Sequence, residues 1–185
     1  ADMDALPVTE RVDLPFASKA RTTYNGNEVG VMHACGHDAH TAILMGVAEV
    51  LHSVRDEIAG SVKFIFQPAE EGPPRGEEGG AKLMIKEGVL IKPAQEVIFG
   101  LHTFTAPTGT IGYRAGGILA GADSFNISIQ GKQTHGAVPW AGIDPVVVAS
   151  QIVLALQLIP SRQLNPAVSP TIISVGSIHA GLRAN

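Results

Sequence analysis

Residues 33–67 read HACGHDAHTAILMGVAEVLHSVRDEIAGSVKFIFQ, and their periodicity decides the fold class. From Asp38 to about Ile58 the apolar residues Ile43, Leu44, Val47, Val50, Leu51, Val54 and Ile58 recur at spacings of three and four, which predicts an amphipathic helix. Gly60 closes it. Ser61 to Phe66 then alternates and runs apolar up to Gln67-Pro68, as a buried strand does. Upstream, Ala1 to Pro7 (ADMDALP) reads as a strand end stopped by its proline, with Asp2 and Asp4 on one face if the segment is extended. Strand, helix, strand in that order predicts an α/β sheet with functional groups at the C-terminal ends of its strands.

Working outward, residues 8–30 are polar and turn-rich, with Tyr24-Asn25-Gly26-Asn27 as a turn signal, and are expected to form a surface loop. Residues 72–80 form a Gly, Pro and Glu loop before a short helix over Ala81–Glu87, which Gly88 stops. Glu96 to Leu101 reads as another buried strand, and it ends in His102. A boundary falls near Leu119, after the Gly-rich Arg114–Gly117. Beyond it, Phe125–Gln130 alternates strictly, as a half-exposed antiparallel strand does. Asp144-Pro145 starts a helix whose apolar stripe uses Val147, Ile152, Leu154, Ala155 and Leu158 and which Pro160 stops, and Thr171–Val175 is a further strand. Two parts are expected, 1–118 and 119–185, the first incomplete at both ends and the second the opening half of a small domain. The whole is read as an internal excerpt of a longer protein.

Composition narrows the function. Apolar residues make up 45% and charged ones 16%, and the formal net charge is −4. This is the balance of a soluble globular protein, with no basic face for nucleic acid or membrane. No uninterrupted apolar run reaches membrane-spanning length. The single cysteine excludes an internal disulfide and leaves a thiol free to be a ligand, a nucleophile or core filling.

Chemistry-bearing groups stand at four successive element ends. Cys35 and His37, two apart in a Gly-containing loop, can point at one centre, and a thiolate with an imidazole suits zinc or another borderline divalent ion. A buried cysteine beside a helix-capping histidine is the plainer alternative. His33 and His40 are less committed; His40 lies one helical turn after His37, either supporting the site or exposed. Glu70-Glu71 sets two mutually repelling carboxylates after a buried strand, where one can bind metal while the other takes a proton from water. A solvated acidic loop continuing to Glu77-Glu78 is the alternative. His102 alone reads as structural; with the other three features it completes the inventory of a two-metal site. His135, in Gly131–Pro139, is separate from this set. Its small neighbours leave the ring free to donate a hydrogen bond to a developing oxyanion, or it is simply a turn histidine.

The motifs Asp2–Pro7, His33–His40, Gln67–Gly72, Gly100–His102 and Gly131–Pro139, in this order, resemble the metallo-amidohydrolase family of hippurate hydrolase, N-acyl-amino-acid amidohydrolases, thermostable carboxypeptidases and plant auxin-conjugate hydrolases. The resemblance covers essentially the whole chain. It implies an α/β catalytic domain of the zinc-aminopeptidase type, a three-layer αβα arrangement, interrupted by a ferredoxin-like α+β lid that also dimerises. It implies Cys35, His37, Glu71 and His102 as ligands of two divalent metal ions, manganese, zinc, cobalt or nickel. Glu70 matches the general base, Asp4 the acidic residue that orients a metal-site group, and His135 the lid histidine that steadies the substrate carbonyl oxygen across a homodimer. Asp2 occupies the place of a metal-binding histidine in the wider superfamily, and the final histidine ligand has no counterpart up to residue 185.

The expected reaction is hydrolysis of the amide bond of an N-acyl amino acid by a water activated between two metals, with no nucleic-acid or membrane partner. Carboxypeptidase or dipeptidase action uses the same machinery and is the alternative, as is a metal-binding fragment that catalyses nothing. The compartment is left open.

Overall fold

The computed structural model describes residues 1–181 and divides into two compact units, Ala1–Gly112 and the segment from Tyr113 onward. In the first unit the N-terminal segment runs beside residues 65–67. The Ala1 ammonium donates to Ile65 O (2.9 Å), the Gln67 N–H to Ala1 O (2.7 Å) and the Met3 N–H to Gln67 O (2.9 Å). This makes a parallel bridge between Asp2 and Gln67, and an antiparallel bridge joins Leu6 to Met32. Strand periodicity puts Asp2 and Asp4 on one side.

Residues 8–30, expected as loop throughout, instead contain a hairpin of β1 (Arg21–Tyr24) and β2 (Asn27–Gly30). Asn25 and Gly26 both have positive φ (49° and 79°), as the tight two-residue turn between twisted strands demands. The turn was legible, but the strands were not, because their solvated residues lack an apolar alternation.

Helix α1 spans His37–Ser53, and a short 3-10 turn, Arg55–Glu57, completes the stretch expected to be helical to about Ile58. Gly36 precedes α1 with φ 87° and no capping side chain. A Cβ there would meet Thr103 Oγ1 at 2.5 Å, so this position requires glycine for both its backbone angle and its closeness to the His102 turn. Helix α2 covers Gly80–Lys86.

The strands expected at 61–66 and 96–102 are not formed as strands. A buried strand needs hydrogen-bonded neighbours and cover on both faces. Glu96–His102 pairs with no strand among the described residues, and Val97, Ile98 and Phe99 are 69%, 71% and 91% exposed. Residues 125–130 and 171–175 likewise form no ladder.

In the second unit, Lys132 and Ile143 bridge antiparallel and close the loop that carries His135. Helix α3 covers Pro145–Leu158, with Asp144 as its N-cap accepting from the Val146 and Val147 N–H groups at 2.8 and 3.3 Å. The helical path does not stop at Pro160 but continues as a π turn over Ile159–Gln163. The inward stripe also differs from the expected one. Ala149, Ile152, Val153 and Leu156 line a cavity of about 800 Å³ against residues 123–129 and 174–181, whereas Leu154 and Leu158 face solvent. Ser150, Gln151 and Gln157 mark the solvent side of α3, and Leu154 and Leu158 share that side by helical spacing. Pro145–Gln163 is also long and apolar enough to cross a membrane by length and composition, although Ser150, Gln151 and Gln157 interrupt its apolar run. One such helix is weak evidence for a membrane span.

Among the described residues no apolar side chain is buried; the two fully buried large side chains are His37 and His40. Order in the first unit therefore comes from polar ties around α1 more than from apolar burial. We expect the 185-residue chain to bind an apolar dye such as ANS in buffer and to unfold with a urea m value below about 1 kcal/mol/M. A dye-silent chain with a steep two-state transition would contradict this.

Candidate metal centre

The first turn of α1 places His37 and His40 on the face that meets the N-terminal segment. Two residues along an extended chain roughly match one turn of a helix, so Asp4 meets His37 while Asp2 meets His40. His37 is fully buried, and its Nδ1 lies 2.9 Å from Asp4 O and 3.2 Å from Asp4 Oδ1. Both partners are acceptors, so Nδ1 carries the proton and donates. In the neutral ring Nε2 is then a bare lone pair. Nε2 is buried without a hydrogen-bond partner and faces Asp2 Oδ2 at 3.6 Å and Glu70 Oε2 at 3.8 Å. A buried acceptor aimed at two carboxylates is unfavourable unless a cation stands among them.

His102 repeats the arrangement. Its Nδ1 donates to Thr103 O (2.8 Å), and Nε2 points at Cys35 Sγ, 3.5 Å away. Such anchoring of the far nitrogen is how metal-ligating histidines are held in tautomer and orientation. Asp4 ties in the acidic loop as well, because its Oδ2 accepts from the Glu71 N–H at 3.0 Å. Ala69 has φ 51°, and Gly80, at φ 65°, lets the start of α2 approach so closely that a Cβ would sit 2.7 Å from Ala69 O. That contact seats the Glu70-Glu71 turn.

Three donor sets result, each with its ligand atoms within 4.8 Å of one another: Cys35, His37 and His102; His37, Glu70 and Glu71; and Asp2, His37 and His40. His37 is common to all. Thiolate, imidazole and carboxylate together suit a borderline divalent cation such as zinc or manganese. The structure thus brings together Asp4, Cys35, His37, Glu70, Glu71 and His102. His135 belongs to the second unit, where its Nδ1 accepts the Ala137 N–H at 3.0 Å. His33 is exposed.

Sequence reasoning missed the weight of His40, which is 2% exposed and bonded at both nitrogens. Its signal was the i, i+3 spacing from His37 matched against the i, i+2 spacing of Asp2 and Asp4.

Charge follows the same geometry. Burial raises the Cys35 thiol above its usual range, and the nearby Glu71 carboxylate, which favours the protonated thiol, adds to the rise together with the Glu70 and Asp2 charges. A thiol so placed is a poor free nucleophile, while a cation in the cluster would favour its thiolate. Burial also works to raise Asp2, but the His40 hydrogen bond and the nearby His37 and His40 outweigh it and leave Asp2 below its usual 3.8. For Asp4 burial is likewise overcome, by the Glu71 and Glu70 N–H groups and by His37.

Residues 1–179 match the peptidase family M20/M25/M40. The chain belongs to this family. The resemblance carried by the five motifs therefore holds, and the mixed helix and strand of the first unit is part of the M20 fold. The chain is 45% identical over 186 residues to thermostable carboxypeptidase 1 of Saccharolobus solfataricus, covering all of this chain and 44% of that protein. It is 42% identical to N-acetyl-L-cysteine deacetylase of Bacillus subtilis, covering 98% of this chain and 40% of that one. With N-acyl-L-amino acid amidohydrolase of Geobacillus stearothermophilus the identity is 42%, over 100% and 46%. Among solved structures, an aminohydrolase from methicillin-resistant Staphylococcus aureus matches with a TM-score of 0.57 and 40% identity, covering 90% of this chain and 41% of that one. This M20 chain spans less than half the length of these relatives.

Asp2 and Asp4, both lowered in the folded state, contribute stability that is complete above their ordinary pKa of 3.8 and is lost as pH falls through the lower folded values. We expect the urea midpoint of the M20 chain to fall steeply below about pH 4, and less steeply in Asp4→Asn, which cannot be protonated. Parallel pH profiles for the two proteins would contradict the role given to Asp4.

Proposed function

We propose that the chain supplies part of the catalytic apparatus of a metal-dependent hydrolase that cleaves the amide bond of N-acyl amino acids. The observation that carries this reading is the buried, unpartnered His37 Nε2 at the junction of the three donor sets. On this reading Cys35, His37, Glu71 and His102 hold two divalent ions, drawn from manganese, zinc, cobalt and nickel. Bound there, such ions acidify a water and polarise the scissile carbonyl.

The chain's own groups do the rest. Glu70, whose side chain is 45% exposed, has its Oε2 at the edge of the cluster, where it can take a proton from the attacking water and pass it to the departing amine. Asp4 positions rather than reacts, since both its oxygens are committed to His37 and to the Glu71 N–H. His135 is assigned to the substrate carbonyl oxygen, as the lid histidine reaching the partner subunit's centre in a homodimer. Residues 1–118 are assigned to a three-layer αβα catalytic domain and 119–185 to the start of a ferredoxin-like lid.

A second reading, peptide hydrolysis at a free C-terminus, is favoured by the 45% identity to a protein named as a carboxypeptidase. The same centre would serve both, since a peptide bond is the same amide. The test is turnover of N-acetyl, N-benzoyl and indole-acetyl amino acids beside dipeptides, with added manganese, in the chain and in a form extended to the relatives' length. We expect the extended form to be active and its Glu70→Gln variant to bind metal normally but lose turnover by about 10²-fold or more. Full turnover in Glu70→Gln would refute the general base. Preference for dipeptides would favour the second reading.

A further inference from the structure

We propose that His40 is a positioning residue that locks two walls of the centre to each other through a neutral imidazole of fixed tautomer; this rests on the metal-centre reading above. Although His40 stands in one of the three donor sets, both its ring nitrogens are already hydrogen-bonded, which makes it a support for the donors rather than one of them. Nε2 accepts the Thr103 main-chain N–H at 2.9 Å, with the Thr103 hydroxyl 3.2 Å away. A main-chain N–H can only donate, so Nε2 is unprotonated and the ring proton sits on Nδ1, which donates to Asp2 Oδ1 at 2.6 Å.

Each of these bonds ends next to the donor cluster. On one side, holding Asp2 Oδ1 fixes the rotation of the carboxylate, so that Oδ2 is presented toward His37 Nε2 at 3.6 Å. Asp2 is thereby a carboxylate at the cation position, aimed by His40. On the other side, Thr103 follows His102 directly, and its carbonyl accepts the His102 Nδ1–H. Pinning the Thr103 N–H and hydroxyl therefore holds the residue whose carbonyl orients His102. Gly36 is the space that lets this happen, since any Cβ there would strike Thr103 Oγ1. The three rings also sit together, with centroids of His40 and His102 4.6 Å apart and of His37 and His40 5.5 Å apart. A single buried imidazole thus couples the Asp2–Asp4 segment, the start of α1 and the His102 turn.

Two measurements on the 185-residue chain test this. Long-range ¹H–¹⁵N NMR of the unaltered, metal-free chain reads the tautomer directly: Nδ1 of His40 should be protonated and Nε2 bare, and the opposite tautomer would overturn the proposal. Cobalt(II) titration, read by the thiolate charge-transfer and d–d bands, tests the consequence. His40→Asn keeps a donor near the Nδ1 position for Asp2, and His40→Gln keeps an acceptor near the Nε2 position for Thr103, while His40→Ala keeps neither. Affinity should drop about 10- to 100-fold in His40→Ala with a shifted d–d band, and by an intermediate factor in each amide variant. Wild-type affinity and spectrum in the two amide variants, which preserve side-chain bulk, would overturn the positioning role even if His40→Ala fails to fold. An unaltered chain that gives no thiolate–cobalt band would instead overturn the metal reading itself, and this outcome is distinct from a chain that binds normally but ignores His40.

Discussion

The Asp4 carboxylate, with its own main-chain carbonyl, holds the rest of the first unit's chemistry in place. It accepts hydrogen bonds from the Nδ1–H of His37 and the N–H of Glu71, so one residue near the N-terminus sets a helix start and an acidic turn against each other. With Nδ1 so engaged, the buried Nε2 of His37 is a lone pair in the neutral ring, and a cation among the facing carboxylates would stabilise it. His102 is constrained in the same manner by its neighbour's carbonyl. The donor atoms are thus preorganised by hydrogen bonds to their far sides, which spares a metal the cost of ordering them.

This polar framework carries unusual weight because apolar burial is so slight. Helix α1 has an apolar stripe of the expected period, yet Ile43, Val47 and Val50 remain 42–64% exposed while its two histidines are buried. Ordinarily a buried imidazole is a guest in an apolar core; here His37 and His40 are the most buried side chains of the unit.

Much of the site was legible from spacing. Cys35 and His37 stand at the start of α1, the Glu70-Glu71 pair and His102 follow apolar runs that the structure leaves as loop, and the period of two put Asp2 and Asp4 on one side. Periodicity could not reveal the Thr103 contacts that engage His40, because a main-chain N–H carries no residue signature. The fold was read less well. Apolar runs at 61–66 and 96–102 carry the composition of buried strands, but a strand is a relation between segments, and the hydrogen-bonded neighbours those runs require are not found among the described residues. Helix α3 was found because Asp144-Pro145 is a local cap, whereas its inward face was misjudged because Leu154 and Leu158 are apolar residues on the side that Ser150, Gln151 and Gln157 turn to solvent. Local signals survive in this M20 chain; those that depend on partners do not.

The claim that Cys35 and the two anchored histidines form one metal centre is tested most directly by zinc K-edge X-ray absorption on the zinc-loaded chain. The account predicts one sulfur and imidazole nitrogens in the first shell, with the sulfur lost in Cys35→Ser and the imidazole scattering reduced in His37→Ala. A shell of oxygen and nitrogen alone, unchanged by Cys35→Ser, would contradict it.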